Sequence, residues 1–155
     1  MELEARKKIE EEVKTLEKEL KTELPRALKI AVAMGDLSEN AEYHAAKERQ
    51  DFVQARLSQL RKRLSELSMI NFEKIPRDRI SLGSTVKLYD LENEEEITYK
   101  LVTTEDADLS EGAISTTSPI GRSLLGKQDG DAVSVRIPAG ARSFEVISFT
   151  TIHDD

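Results

Sequence analysis

The sequence contains no cysteine and no tryptophan, and its only histidines are His44 and His153. Disulfide frameworks and thiolate metal sites are therefore excluded, and a histidine-rich zinc site is excluded with them. No apolar run approaches the ~20 residues that a membrane-spanning helix requires. The opening stretch MELEARKKIEEEVK is charged throughout and lacks the apolar centre of a signal peptide. These absences predict a cytoplasmic protein with no membrane association, and the lack of cysteine fits a reducing compartment. Positive charge in excess is also missing, because the formal net charge is −7.

That charge is unevenly distributed. Residues 1–70 carry 14 Lys and Arg against 14 Asp and Glu, and residues 71–155 carry 9 against 16, so the second half accounts for the whole of the −7. Phosphate neutralisation by basic side chains supplies most of the affinity of general nucleic-acid binders, and an acidic body argues against that class. A nucleic-acid contact is expected to be local, or arranged by a partner protein. With 155 residues the chain can form one ordinary domain, or one compact domain and an extended element.

Hydrophobic spacing divides the chain into two halves. Ile9, Val13, Leu16 and Leu20 are spaced by 4, 3 and 4, the seam of a coiled coil, and Leu24, Leu28 and Ala31 continue it toward Met34. A second seam runs through Ala46, Gln50, Val53, Leu57, Leu60, Leu64 and Leu67. Strong helix formers fill the positions between. Pro25 should kink or loosen the first helix. A short connection between two long amphipathic helices implies antiparallel packing. A helix of about 32 residues is roughly 48 Å long, so the end of this hairpin is expected to project.

After Leu67 the pattern changes. The segment 71–79 contains Pro76 and charged residues and reads as a linker. Thr85–Tyr89 and Ile97–Val102 are β-branched and aromatic, separated by the acidic turn Asp90–Glu96. Ala113–Thr117, Ala132–Ile137 and Ser143–Thr151 also read as strands, and Ser118–Leu125 can hold a short helix. The expected fold class is α+β: residues 1–70 as a helical hairpin, and residues 80–155 as a small domain on an antiparallel sheet.

The turn of the hairpin carries the most chemistry. Asp36, Glu39, Asn40 and Glu42 place four oxygen-bearing side chains within seven residues. Hard oxygen ligands suit Mg²⁺, which keeps several waters and takes one or two protein carboxylates. Such a site is incomplete alone and needs ligands from elsewhere. A bland reading competes with it: Gly35 suits the left-handed position that ends a helix, Asp36 can cap the next helix, and Glu39 has the spacing of a capping-box partner. On local pattern alone capping is the better account. Leu37 fits it poorly, because an apolar side chain at a projecting turn needs a reason.

The longer string Gly35-Asp36-Leu37-Ser38-Glu39-Asn40-Ala41-Glu42-Tyr43-His44-Ala45-Ala46-Lys47-Glu48 resembles the tip signature of the Gre (GreA/GreB) family of transcript cleavage factors, closest to its GreA branch. The resemblance continues through Arg56, Leu60 and Leu64 to Met69-Ile70. It resumes at Leu82-Gly83-Ser84-Thr85-Val86 and at Asp106-Ala107-Asp108. It ends with Ser118-Pro119-Ile120-Gly121-Arg122-Ser123-Leu124-Leu125-Gly126-Lys127 and Gly130-Asp131, and it covers about residues 26–150.

The resemblance implies an N-terminal antiparallel coiled coil and a C-terminal domain of FKBP-like fold. It further implies that the C-terminal domain docks at the rim of the RNA polymerase secondary channel while the coiled coil enters it. Asp36 and Glu39 would then be the catalytic acids, holding a Mg²⁺ shared with the polymerase, which hydrolyses its own backtracked RNA at the nascent 3′ end. On this reading the protein is an accessory factor rather than an enzyme, acting as a monomer. Asn40 and Tyr43 would support the tip, Lys47 would contact RNA phosphate, and Ser118, Pro119 and Ile120 would face the polymerase. Structurally, those last three could equally form an ordinary Ser-Pro turn.

Two departures from the family pattern stand out. The Thr-x-x-Gly segment that usually precedes the first helix is absent. Val32, Ala33 and Met34 also stand where the family often places a basic residue, which predicts weak retention of long extruded RNA. The alternative function is a secondary-channel regulator that inhibits without cleavage. A prolyl isomerase ranks lower, because Phe72, Tyr89, Tyr99, Phe144 and Phe149 are too few aromatics for a dedicated proline pocket.

Overall fold

The computed structural model describes residues 3–35 and 39–154. The chain divides into two compact units, Met1–Ile70 and Asn71–Asp155, each with its own hydrophobic core.

In the first unit, helix α1 (Glu4–Lys18) passes through a π turn (Glu19–Glu23) into α2 (Leu24–Ala33), and α3 (Ala41–Ser68) returns antiparallel to both. Both seams are as the spacing predicts. Ile9, Leu16, Leu24 and Ala31 are buried on one side and Val53, Leu57, Leu60 and Leu67 on the other, with Val13, Leu20, Leu28, Ala46, Gln50 and Leu64 half-buried between them. Ion pairs flank the seam: Glu12 with Arg56 at 3.0 Å and Glu19 with Arg49 at 2.8 Å on steps of one heptad, and Glu17 with Arg61 at 2.8 Å. One partner climbs seven residues as the other descends seven, which fixes the antiparallel sense. The disturbance expected at Pro25 is the π turn that precedes it.

In the second unit, strands β1 (Thr85–Asp90), β2 (Glu95–Val102), β3 (Ala113–Ser115), β4 (Ala132–Ile137) and β5 (Gly140–Thr150) form one sheet in the order β3-β2-β1-β5-β4. All neighbours are antiparallel except β2 and β3, which pair in parallel through a crossover over residues 103–112. Helix α4 (Pro119–Leu124) follows β3. Period-two alternation points Val86 and Leu88 of β1 into the core with Phe144 and Val146 of β5, Leu101 of β2, Val133 and Val135 of β4, and Leu124 of α4. A register shift between Lys87 and Leu88 lets β5 bulge at Ile147, which shifts the alternation by one residue and brings Phe149 back to the core side opposite Val86.

The stretch 71–79, expected as a linker, is tied to the second unit. Nε2 of His153 lies 2.8 Å from the Ile75 carbonyl, and the Gln128 side chain donates to the Asp78 carbonyl.

Candidate functional site: the hairpin tip and the apolar groove

Two places gather the residues singled out above. At the hairpin end, α2 runs out through Met34, and Gly35 follows with φ +120°, the positive value expected where the helix terminates. The capping-box expectation is corrected here. Helix α3 begins at Ala41, and its N-cap is Asn40, whose Oδ1 accepts from the Tyr43 N–H at 2.9 Å. Asp36 lies outside the described residues, and Glu39 falls one residue before the cap rather than at the third helical position. Asn is among the strongest N-caps, and from this position it satisfies an amide that the first helical turn leaves without a partner.

Asn40 does a second thing. Its Nδ2 donates to the Ala31 carbonyl at 2.6 Å, and the side chain is buried. One amide thus closes both ends of the turn, fastening the last turn of α2 to the first of α3. Glu39, next to this clamp, is exposed. The Tyr43 ring is half-buried and meets His44 edge to face at 5.7 Å. Lys47 is exposed and donates to Gln50 at 3.1 Å. At 1.5 Å per residue Lys47 sits about 10 Å down the helix from the cap. Glu39, Asn40 and Tyr43 therefore share the tip, and Lys47 flanks it. Among the described residues no three acidic or imidazole side chains are grouped closely enough to hold a metal ion. The donors at the tip are carboxylate oxygens of the type Mg²⁺ takes, and as few as it commonly takes from one protein.

The second place lies in the sheet unit. Ser118 is the N-cap of α4: its Oγ accepts from the Gly121 N–H at 3.1 Å and donates to the Ser115 carbonyl at 2.7 Å. Pro119 occupies the first turn, where its missing N–H costs nothing. A Cβ on Gly121 would stand 2.0 Å from the Ser115 carbonyl oxygen, so only glycine lets the helix approach β3 this closely. Ser118, Pro119 and Ile120 line an almost wholly apolar groove of about 300 Å³, together with Ala107, Leu109, Ile114 and Ile137. Leu109 is 75% exposed on its rim. Leu109 and Ile137 were missed by sequence reasoning. Leu109 offered a signal, being an apolar residue inside the polar run Glu105–Glu111.

Among the described residues no helix is long and apolar enough to cross a membrane. Fold and tip together define the class: a helical hairpin with an exposed acid, Glu39, at its end, followed by a small five-stranded sheet unit. Comparison with known proteins makes this specific. The description "Transcription elongation factor, N-terminal" of the GreA/GreB family matches residues 1–68, and "Transcription elongation factor, GreA/GreB, C-term" matches residues 75–151. Among curated relatives, Transcription elongation factor GreA of Hyphomonas neptunium is 44% identical over 90% of this chain and 88% of its own length. The protein of the same description in Desulfotalea psychrophila is 40% identical over 97% of this chain and 94% of its own. That of Magnetococcus marinus is 42% identical over 97% and 96%. The chain belongs to the GreA/GreB family of transcription elongation factors.

Proposed function

We propose that this protein enters the secondary channel of RNA polymerase and stimulates the polymerase's own cleavage of backtracked RNA, so restarting arrested complexes. The observation that carries this reading is the cap. Asn40 takes over the start of α3, which releases Glu39 from structural duty and leaves it exposed beside a fastened turn.

Asp36 and Glu39 would hold a Mg²⁺ together with carboxylates supplied by the polymerase, and the protein alone has half a site. When bound, Mg²⁺ supplies charge neutralisation at the phosphate and an acidified water for in-line attack. This chain's residues do the placing. Asn40 fastens the last turn of α2 to the first of α3 beside Glu39, the Tyr43 amide is held in the same cap, and Lys47 offers a charge to RNA phosphate at the nascent 3′ end. Ser118, Pro119 and Ile120, with the apolar groove behind them, provide the surface that faces the polymerase. A single copy suffices for each of these roles.

The test replaces Asp36 by Asn and Glu39 by Gln and follows RNA cleavage in stalled elongation complexes. Cleavage should fall by at least about 100-fold, the order seen when a transition-state charge contact is removed, while polymerase binding holds. Undiminished cleavage would sink the assigned role. Inhibition of elongation by the native chain, with no cleavage at all, would favour a non-cleaving occupant of the channel.

A further inference from the structure

The first helix of the hairpin carries one residue more than its heptads require. With unbroken spacing the seam would pass from Leu20 to positions 23, 27 and 30, whereas the residues turned inward are Leu24, Leu28 and Ala31. The facing helix has no such offset, and its seam alternates by 4 and 3 from Ala46 to Leu67. The surplus residue falls where the helix becomes the π turn Glu19–Glu23, closed by the Leu24 N–H on the Glu19 carbonyl. An i→i+5 turn takes up one residue more than an α turn, so the seam stays aimed at α3 on both sides of it.

Two more features loosen the same point. Pro25 has no N–H, so the ladder lacks a donor at the first turn of α2, directly after the π turn. Thr22 Oγ1 donates to the Lys18 carbonyl at 2.6 Å, a back-bond of the kind that bends helices. The ion pairs from Glu12, Glu17 and Glu19 all leave the first helix at or before the start of the turn. Beyond it, Leu24, Ala31 and the Asn40 clamp hold the tip segment together as a piece. A stapled shaft and a clamped tip therefore meet at a turn with a weakened hydrogen-bond ladder.

We propose that the π turn and Pro25 form a hinge in one helix of the hairpin. About it the tip segment, α2 with the first turns of α3, bends on the uninterrupted α3 to bring Glu39 into position. The functional part of this inference rests on the cleavage reading above, and the hinge itself does not.

Hydrogen exchange on the full chain reads the hinge directly. The amides of Lys21–Leu24 and Arg26 should exchange at least about tenfold faster than those of Arg49–Val53 on the facing helix. A second chain, with Thr22 deleted and Pro25→Ala, has unbroken heptads. Its exchange difference should vanish, its melting midpoint should not fall, and its polymerase binding should stay within about twofold of the parent. Its cleavage rate should drop at least about fivefold. If the deletion prevents folding, Pro25→Ala alone should shift exchange and cleavage the same way by smaller amounts. Equal protection of the two helices in the native chain overturns the hinge. So does a stiffened chain that cleaves at the parental rate, or one that loses cleavage only because it no longer binds. If the Asp36 and Glu39 substitutions leave cleavage intact, the cleavage reading fails, and exchange alone decides the hinge.

Discussion

The hairpin buries one stripe of side chains along each of two facing helices, whereas the sheet unit gathers residues from all five strands and a helix into one cluster around Phe144. In the hairpin each seam residue meets a few neighbours across from it, so a change is felt over a turn or two. In the sheet unit Leu88, Leu101, Leu124 and Phe144 come from separate elements and share one space, so a change at any of them reaches the rest. The candidate sites inherit this difference. The tip sits at the end of a repetitive element and is fastened by one side chain, Asn40. The groove is a wall of the core, since Ile114 lines it and is buried in the cluster, and Ile120 and Ile137 pack against that cluster. Function and stability should therefore separate at the tip and travel together at the groove.

The sharpest way to break this contrast is at Gly121. Gly121→Ala forces a Cβ against the Ser115 carbonyl, a backbone atom that no rotamer change can move. Helix α4 must shift, which disturbs Leu124 and the groove together. The expected cost is about 3 kcal/mol or more, at the upper end of overpacking, with a fall of about 10 °C or more in the melting midpoint and a parallel loss of polymerase binding. A stable, fully folded Gly121→Ala chain that fails to bind would show that groove and core are separable after all.

At the tip the prediction runs the other way. Asn40→Ala removes the cap and the Ala31 clamp, and should cost about 1–2 kcal/mol. Cleavage should fall about tenfold or more with polymerase binding retained, because the turn loses its anchor while the seams stay intact. Asn40→Asp keeps an acceptor for the Tyr43 N–H but sets a carboxylate oxygen against the Ala31 carbonyl in a buried place, so it should recover little of the stability and little of the cleavage. Thermal melts and cleavage rates on the three chains check both halves. Recovery of cleavage by Asp would assign the effect to capping alone.

Much of this was legible before any coordinates, and the reason is period. The seams from Ile9 to Ala31 and from Ala46 to Leu67 reported the hairpin, and β-branched runs reported all five strands, because burial on one face leaves a repeat in the sequence. Local chemistry was read less well. Gly35 marked the end of α2, yet Asp36 and Asn40 are both good caps, and nothing in the string says which starts α3. The choice is made by the Asn40 contact with Ala31, nine residues away, which local pattern does not contain. The π turn was present as a one-residue surplus in the seam and read only as a disturbance at Pro25. The parallel pairing of β2 with β3 and the groove at Leu109 arise from contacts between separate strands and turns, and a single sequence carries no direct sign of them.

The smallest expected effect compares two carboxylates paired to arginine, one in each unit. Asp90, at the end of β1, is fully buried, which pushes its pKa up. The N–H groups of Asn93 and Glu92, the Asn93 side chain and the Arg142 guanidinium outweigh that and hold it below the ordinary value of 3.8. Glu19 is also held low, chiefly by its hydrogen bond to Arg49, but that pair is partly open to solvent. A carboxylate lowered in the folded state binds its proton less readily than in the unfolded chain. Its stabilisation is complete above the unfolded pKa and is lost as pH falls below it through the folded value. Asp90→Asn should therefore flatten the acid-side slope of stability below about pH 4, and 0.5 M salt should leave the difference from the native chain nearly unchanged. Glu19→Gln should flatten the slope only slightly, and the same salt should erase the difference, because exposed pairs are screened and contribute little. Urea unfolding between about pH 2.5 and 6, at low and high salt, reads both slopes. Equal salt sensitivity of the two would mean that the turn held by Asp90 is as open to solvent as the flank of the hairpin.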